Sequence, residues 1–454
     1  MSNEKLIVVS SDSHAAMPSA LWEQYFERGY HEHLPQIRYE SDLYSGSVVP
    51  LSRMSMDRPE NVEEHYTETG GYRGVYDCDV RLQQMDREGI AAELVFHGDA
   101  RVGDLAHNVT NSAWSFDVWD AGVRAYNRWA HDTFGAASDR LLLVGAIGSC
   151  ADLDATVTEL RWLADRGFAG TFAPGFLRHP DMPPLFDPYW EPVWNECEAR
   201  GLAVVVHAGF GFEQGVIYEQ LDRINREVRE ADGSEMDLLM RLGTEVFGDF
   251  FSDIKGRQPV WQMMFGGVFD RHPDLKLLIT EIRLDWIPAT LAHLDRLFDE
   301  HRVDLPARHR PSDYWRDHCL AGASFVHKVE VGMRHEIGVD TILFGRDYPH
   351  PESTWPNTVD WLRDAFAGVP EPELRAMLGE NAVPFFGLDR ATLAAIAERV
   401  GPTLAELTGG TVPADLLASF DARGGYLREA EGDARIPDIA PLLAVDLDRV
   451  GSSV

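Results

Sequence analysis

Short aliphatic and β-branched runs recur along the chain, and most stop abruptly at a polar residue. Leu6–Val9 leads into Ser10-Ser11-Asp12-Ser13-His14, Ala91–Phe96 ends at His97, Leu202–Val206 runs straight into His207, and Leu275–Thr280 delivers Glu281. Leu141–Ile147, Gly170–Ala173, a stretch within Asp317–Phe325, and Thr341–Phe344 are similar, the last stopping at Gly345 ahead of Arg346 and Asp347. These runs are too short for ordinary helices and lack the alternation of a half-exposed strand, so they predict strands buried on both faces. Between them, apolar positions recur every third or fourth residue over Val80–Glu88, Ser112–Phe134, Asp152–Arg166, Asp187–Arg200, Val260–His272, Ile287–Glu300 and Val326–Ile337. Gly167 and Gly201 supply helix stops. Trp114, Phe116, Trp119, Val123, Tyr126 and Trp129 fall at helical spacing and predict a core stripe in preference to a cofactor contact.

Eight strands alternating with helices predict an α/β fold of the (β/α)8 TIM-barrel type more naturally than an open, doubly wound sheet. No Gly-x-Gly-x-x-Gly or Walker-type loop follows the first strand, which weighs against the open sheet and its nucleotide ligands. Two stretches interrupt the alternation. Residues 15–80 are irregular and rich in Pro, Gly and Tyr, with one helix expected near Ser19–Glu27, and a loop of that length suggests a lid. Residues 213–256 read as a charged helical insertion after the fifth strand. Beyond Thr392 the chain continues helical and acidic where a barrel should have closed. The expected organisation is therefore a barrel over 1–391, with insertions after its first and fifth strands, and a C-terminal helical extension over 392–454 that packs on the barrel or on a second subunit. A homodimer or higher homo-oligomer is expected.

Composition narrows the partners. A chain of 454 residues, 44% hydrophobic and 25% charged, has ample material for one large core. Its formal charge of −33 argues against phosphate backbones and anionic membranes as partners, and implies that an anionic substrate needs local Arg or His. Cys78, Cys150, Cys197 and Cys319 are widely spaced, with neither a zinc-knuckle nor a disulfide pattern. Leu6–Val9 is too brief for a signal-peptide core. The expectation is a soluble cytoplasmic protein acting on a small molecule, without nucleic acid or membrane.

In a parallel barrel, reactive groups sit where strands end, because the scaffold fixes them and the loops remain free to vary. The strand ends here carry Asp12, His14, His207, Glu281 and Asp347. Asp-x-His places both side chains on one side of an extended segment, and two imidazoles with carboxylates suit a divalent cation such as zinc or manganese. Asp347 is a candidate ligand or general base. Taken singly, a strand-end Asp more often makes a turn. Glu281 is either a general acid with a raised pKa or a structural partner of Arg283. His350, between two prolines, is rigidly placed to orient substrate or support Asp347, with Glu352 beside it, while Trp355 is expected to pack the loop. Arg178, His179, Arg283 and Arg346 are candidates to bind a substrate carboxylate.

Several motifs together resemble the amidohydrolase superfamily: Ser11-Asp12-Ser13-His14, Val206-His207-Ala208-Gly209, Phe269–Lys276 (FDRHPDLK), Gly345–Glu352 (GRDYPHPE) and Gly379-Glu380-Asn381-Ala382. The similarity spans roughly Leu6–Asp389 and is greatest to the branch containing aminocarboxymuconate semialdehyde decarboxylase and the aromatic-acid decarboxylases. It implies Asp12, His14, His207 and Asp347 as ligands of one divalent metal ion, zinc before manganese or iron, since the fourth strand offers no position for a carboxylated Lys. It also implies nonoxidative decarboxylation of a small cyclic or aromatic carboxylate. Asp347, Glu281 and His350 are then the catalytic candidates. Two departures matter: Asp12 stands where relatives carry Glu or His, and Glu281 stands where they carry His. Hydrolysis of an ester, lactone or amide is therefore the alternative, followed by a catalytically decayed binding protein.

Overall fold

The computed structural model describes residues 4–54, 71–98, 105, 114–175, 177–178, 182–213, 216–242, 245, 254–324, 326–350, 353–422 and 429–452. Eight strands build the barrel: β1 (Val9–Ser10), β2 (Ala92–His97), β3 (Leu141–Gly145), β4 (Gly170–Phe172), β5 (Ala203–Val206), β6 (Leu277–Thr280), β7 (Cys319–Ser324) and β8 (Ile342–Gly345). They stand in sequence order, every neighbour parallel, with helices crossing between them. The (β/α)8 barrel is thus the fold.

Closure takes place at the C-terminal ends of the first and last strands. The Ser11 amide donates to Phe344 O at 2.8 Å, the Asp347 amide to Asp12 O at 3.0 Å, and the His14 amide to Tyr348 O at 2.7 Å. These bonds zip the segment carrying Asp12 and His14 onto the one carrying Asp347. Gly345 permits the approach: a β-carbon there would lie 2.7 Å from Ala323 O and 3.1 Å from the Asp12 β-carbon. The seam that closes the sheet is the seam that assembles the strand-end groups.

Around the barrel, the helix Phe116–Ala130 buries Val118, Trp119, Val123, Tyr126 and Trp129, the expected stripe, whereas Phe116 at its first turn is 39% exposed. In the first insertion the helical turns around Ser19–Tyr25 are present, and they are followed by a long helix, Leu34–Met54, where an irregular lid was expected. Its buried side, Leu34, Ile37, Ser41 and Tyr44, keeps helical period, but one polar member and Pro50 blur it in the sequence. That helix packs against Val216–Glu230 of the second insertion, which buries Leu221, Ile224 and Val228. Both insertions follow C-terminal strand ends, so they meet on the side of the barrel that carries the reactive groups.

Chain beyond 391 rests on the barrel. Phe420 packs on Trp361 with ring centroids 4.7 Å apart, and the Leu6 amide donates to Pro402 O at 2.8 Å. In the last helix, Ile436–Ser452, the buried Asp446 accepts from Gln258 at 2.9 Å, from Trp261 Nε1 at 2.8 Å and from Gln262 at 3.1 Å. Among the described residues, no helix is long and apolar enough to cross a membrane. Asp446→Ala would strand the Trp261 and Gln262 donors, and is expected to lower stability by about 2–3 kcal/mol in chemical denaturation, the range for hydrogen bonds to a charged group. A midpoint equal to that of the parent protein would show that these hydrogen bonds add nothing to stability.

Candidate metal centre and its buried support

The barrel brings the strand-end set together. Asp12 and His14 follow β1, His207 follows β5, Glu281 follows β6 and Asp347 follows β8. His14 Nε2 lies 3.5 Å from Asp12 Oδ1 and 3.3 Å from Asp347 Oδ1, and His207 Nε2 lies 3.5 Å from the same Asp12 oxygen. His207 Nδ1 is 3.1 Å from Glu281 Oε2. His350 places Nδ1 2.9 Å from Asp347 Oδ1 and stacks on His14, ring centroids 4.0 Å apart. Asp12 and Asp347 are fully buried, and His14 and His207 are 3% and 5% exposed. Donor atoms of Asp12, His14, His207 and Glu281 fall within 4.8 Å of one another, as do those of His14, Asp347 and His350.

The tautomers follow from the hydrogen bonds. His14 Nδ1 lies 3.1 Å from the carbonyl oxygen of His97, an acceptor only, so Nδ1 carries the hydrogen and Nε2 presents a lone pair to the carboxylates. That Nε2 is buried and has no hydrogen-bond partner among the described residues. His207 Nδ1 likewise donates to Ala208 O at 3.1 Å, turning Nε2 toward Asp12. Donors bound to one ion at about 2.1 Å stand about 3.0–3.4 Å apart. The 3.3–3.5 Å separations here are close to that spacing: Asp12, His14 and His207 fit one divalent cation, and Asp347 approaches the group through His14.

Charge in the cluster points the same way. Burial, with His350 and His207 adding to it, holds His14 well below the usual imidazole range, in the neutral form that ligates. Burial also works against a charged His207, but the Glu281 and Asp12 carboxylates outweigh it and lift the ring to about 9. Glu281 is pushed well above the carboxylate range, first by burial, then by Asp347 and Asp12, with His207 opposing. Asp347 and Glu281 both adopt left-handed backbone angles, φ of 53° and 52°, the strained conformation that recurs at reactive positions.

Beneath this cluster lies a support that the sequence reading did not identify. Glu93, inside β2, receives Arg81 Nε at 2.7 Å on one carboxylate oxygen and Arg346 Nε at 2.8 Å on the other, all three side chains fully buried. Arg81 also donates to His14 O at 2.7 Å and to Ser13 Oγ at 2.6 Å. Tyr348 lies within cation–π range of both guanidiniums, 5.4 Å from that of Arg81 and 4.5 Å from that of Arg346. The available signal was Glu93 itself, a carboxylate in an otherwise apolar strand, which demands a buried cation.

Against the expectation of a free carboxylate anchor, the Arg346 guanidinium is fully buried and paired with Glu93. Arg283 is engaged by Asp285, at 3.0 and 2.6 Å, rather than by Glu281. Arg178 lies on a short strand, Leu177–Arg178, paired with Phe212–Glu213 after β5. Its side chain, His179 and Glu352 lie outside the described residues. Trp355 packs on Tyr348 at 5.7 Å and donates to Gln84 at 3.1 Å.

Comparison with known proteins agrees with the fold. Residues 30–388 match the family model described as Amidohydrolase. An amidohydrolase from Mycobacterium avium subsp. paratuberculosis shares the fold at TM-score 0.59 and 16% identity, covering 85% of this chain and 100% of its own. A 5-carboxyvanillate decarboxylase from Novosphingobium aromaticivorans, complexed with manganese and 4-hydroxy-3-methoxy-5-nitrobenzoic acid, superposes at 0.57 with 16% identity over 86% of this chain and 100% of its own. A dihydroxybenzoic acid decarboxylase from Polaromonas, with manganese and 2-nitroresorcinol, gives 0.54 and 18% over 86% and 99%. At these identities the likeness establishes the shared fold.

Removing the shared counter-charge should cost more than removing one cation. Glu93→Gln leaves two buried guanidiniums facing each other and is expected to destabilise by about 3–5 kcal/mol in denaturant titration. Arg346→Met leaves a neutral Arg81–Glu93 pair and is expected to cost less; the reverse order would refute the shared-counter-charge reading.

Proposed function

Because the chain belongs to the amidohydrolase family, we propose that it is a metal-dependent enzyme that decarboxylates a small cyclic or aromatic carboxylate without an oxidant. The observation that supports this reading is His14 Nε2, buried and facing Asp12 and Asp347 at 3.5 and 3.3 Å, with His207 Nε2 on the same Asp12 oxygen at 3.5 Å. Asp12, His14, His207 and Asp347 are the proposed ligands, for zinc first, with manganese, the ion in two similar decarboxylases, and iron as the other candidates. A divalent ion held there polarises a substrate oxygen and stabilises negative charge that develops beside it.

The chain's own residues supply the proton and the orientation. As the bond between ring and carboxyl carbon breaks, carbon dioxide leaves and the electron pair stays on the ring carbon. That carbon needs one proton, and Glu281, buried and held toward its protonated form, is the proposed donor, left as a carboxylate beside His207. His350, with Nδ1 2.9 Å from Asp347 Oδ1 and its ring stacked on His14, restrains the orientation of both. With Arg346 and Arg283 engaged elsewhere, Arg178 and His179 are the remaining candidates for the substrate carboxylate.

One observation favours a second reading. Asp347, its Oδ1 2.9 Å from His350 Nδ1, would take a proton from water, as hydrolysis of an ester, lactone or amide requires. Stoichiometric carbon dioxide with no oxygen-18 entering product from labelled water is expected; label in product without gas would establish the hydrolase instead. Metal analysis by mass spectrometry is expected to find about one ion per chain, lost in His14→Ala and His207→Ala, with removal by chelator lowering the melting temperature. Wild-type metal content in both variants would overturn the ligand assignment. Glu281→Gln is expected to keep its metal and lose about 10²–10⁴-fold in kcat with little change in KM.

A further inference from the structure

The turn that carries Glu281 is held from outside the barrel. After Glu281 the chain runs through Ile282 and Leu284, both buried, to Asp285 and Trp286. One side of this turn is fixed by Glu330, which accepts from the Leu284 amide at 2.6 Å. The other side is fixed by the C-terminal extension. The Glu431 backbone amide donates to Asp285 Oδ2, and Asp285 is fully buried. The Glu431 carboxylate in turn accepts two bonds from Arg257, at 2.7 and 3.0 Å. Arg257 is 1% exposed and its guanidinium lies 4.8 Å from the centre of the Trp286 ring, the last residue of the same turn. Glu431 therefore touches the turn twice, directly through Asp285 and through Arg257 on Trp286. It lies beyond residues 30–388, the part matched by the family model, so the clamp comes from chain added to that barrel.

We infer that Glu431 is a positioning residue for the reaction, holding the Glu281 turn in register from the C-terminal extension. The inference rests on the reading of Glu281 as proton donor. Its physical basis is the steep dependence of proton transfer on donor placement: Glu281 sits at φ 52°, a strained angle that persists only where neighbours over-determine it. Leu284, Asp285 and Trp286 are the contacts that do so within the next five residues. Without the Glu431 carboxylate, Arg257 loses the partner that holds it over Trp286, and the turn can relax away from the cluster although the Glu431 backbone amide still reaches Asp285.

The test uses the full chain loaded with metal. Glu431→Ala leaves Arg257 buried with a lost partner and can fail to fold, so the informative variants are Glu431→Gln, which keeps the shape, and the double variant Arg257→Met/Glu431→Met, which removes both charges. Expected in both is faster amide hydrogen exchange over 281–286 with unchanged metal content, and a fall in kcat of at least about tenfold with KM nearly constant, the effect of misplacing a reacting group. Glu431→Gln should fall less than the double variant. Unchanged exchange over 281–286 in the double variant overturns the clamp. Faster exchange with unchanged kcat refutes its positioning role. The proton-donor reading is checked separately: an unimpaired Glu281→Gln sinks that reading while the exchange result still reports on the clamp.

Discussion

A single buried carboxylate, Glu93, holds together what would otherwise fly apart. It sits in the second strand and is shared by arginines from two distant parts of the chain, Arg81 on the helix Cys78–Glu88 and Arg346 just after the eighth strand. Desolvating three charges is costly unless their donors find acceptors, and here Arg81 donates further to His14 O, Gly74 O and Ser13 Oγ, while Arg346 bonds Glu93 through Nε. The same side chains that settle the buried charge thereby fix the backbone on either side of His14 and Asp347. Stability and site geometry share one set of bonds.

From that support the cluster above inherits its order. Asp12, His14 and Asp347 lie on the seam where the barrel closes, and their spacing is set by backbone bonds between the two closing segments. His207 and Glu281 arrive from the opposite side on neighbouring parallel strands, paired in register from Val204↔Leu277 to Val206↔Ile279. Carboxylates this close repel one another, and with burial this pushes the Glu281 carboxyl above its usual range, while neighbouring carboxylates raise His207. A barrel of parallel strands is suited to this, because all of its strand ends face one way.

Additions to the barrel act on the same face. The helix Leu34–Met54 and the helix Val216–Glu230 pack on each other beyond the first and fifth strands, and the C-terminal extension reaches the Glu281 turn through Glu431 while anchoring its last helix through Asp446. The reactive groups are thus bracketed by segments that are local neither to them nor to one another. Changes in these segments give evolution a way to alter access and positioning while the barrel remains intact.

By itself the sequence determined the strands, their order and the strand-end set Asp12, His14, His207, Glu281 and Asp347, because burial on both faces writes continuous apolar runs and reactive groups stand directly after them. It also determined family membership, through motifs around those ends. What it could not determine was where long polar side chains point. Arg346 looked like a substrate anchor because it adjoins Asp347, yet the partner that claims it is Glu93, more than 250 residues earlier. Arg283 looked like a partner for Glu281 and is held by Asp285 instead. The helix Leu34–Met54 escaped notice because its buried stripe includes Ser41 and is supported by an insertion far along the chain. Local pattern fixes which segments must be buried; only the closed barrel decides which distant charges meet, since ion pairing carries no periodicity and depends on distances that exist only once the sheet has closed.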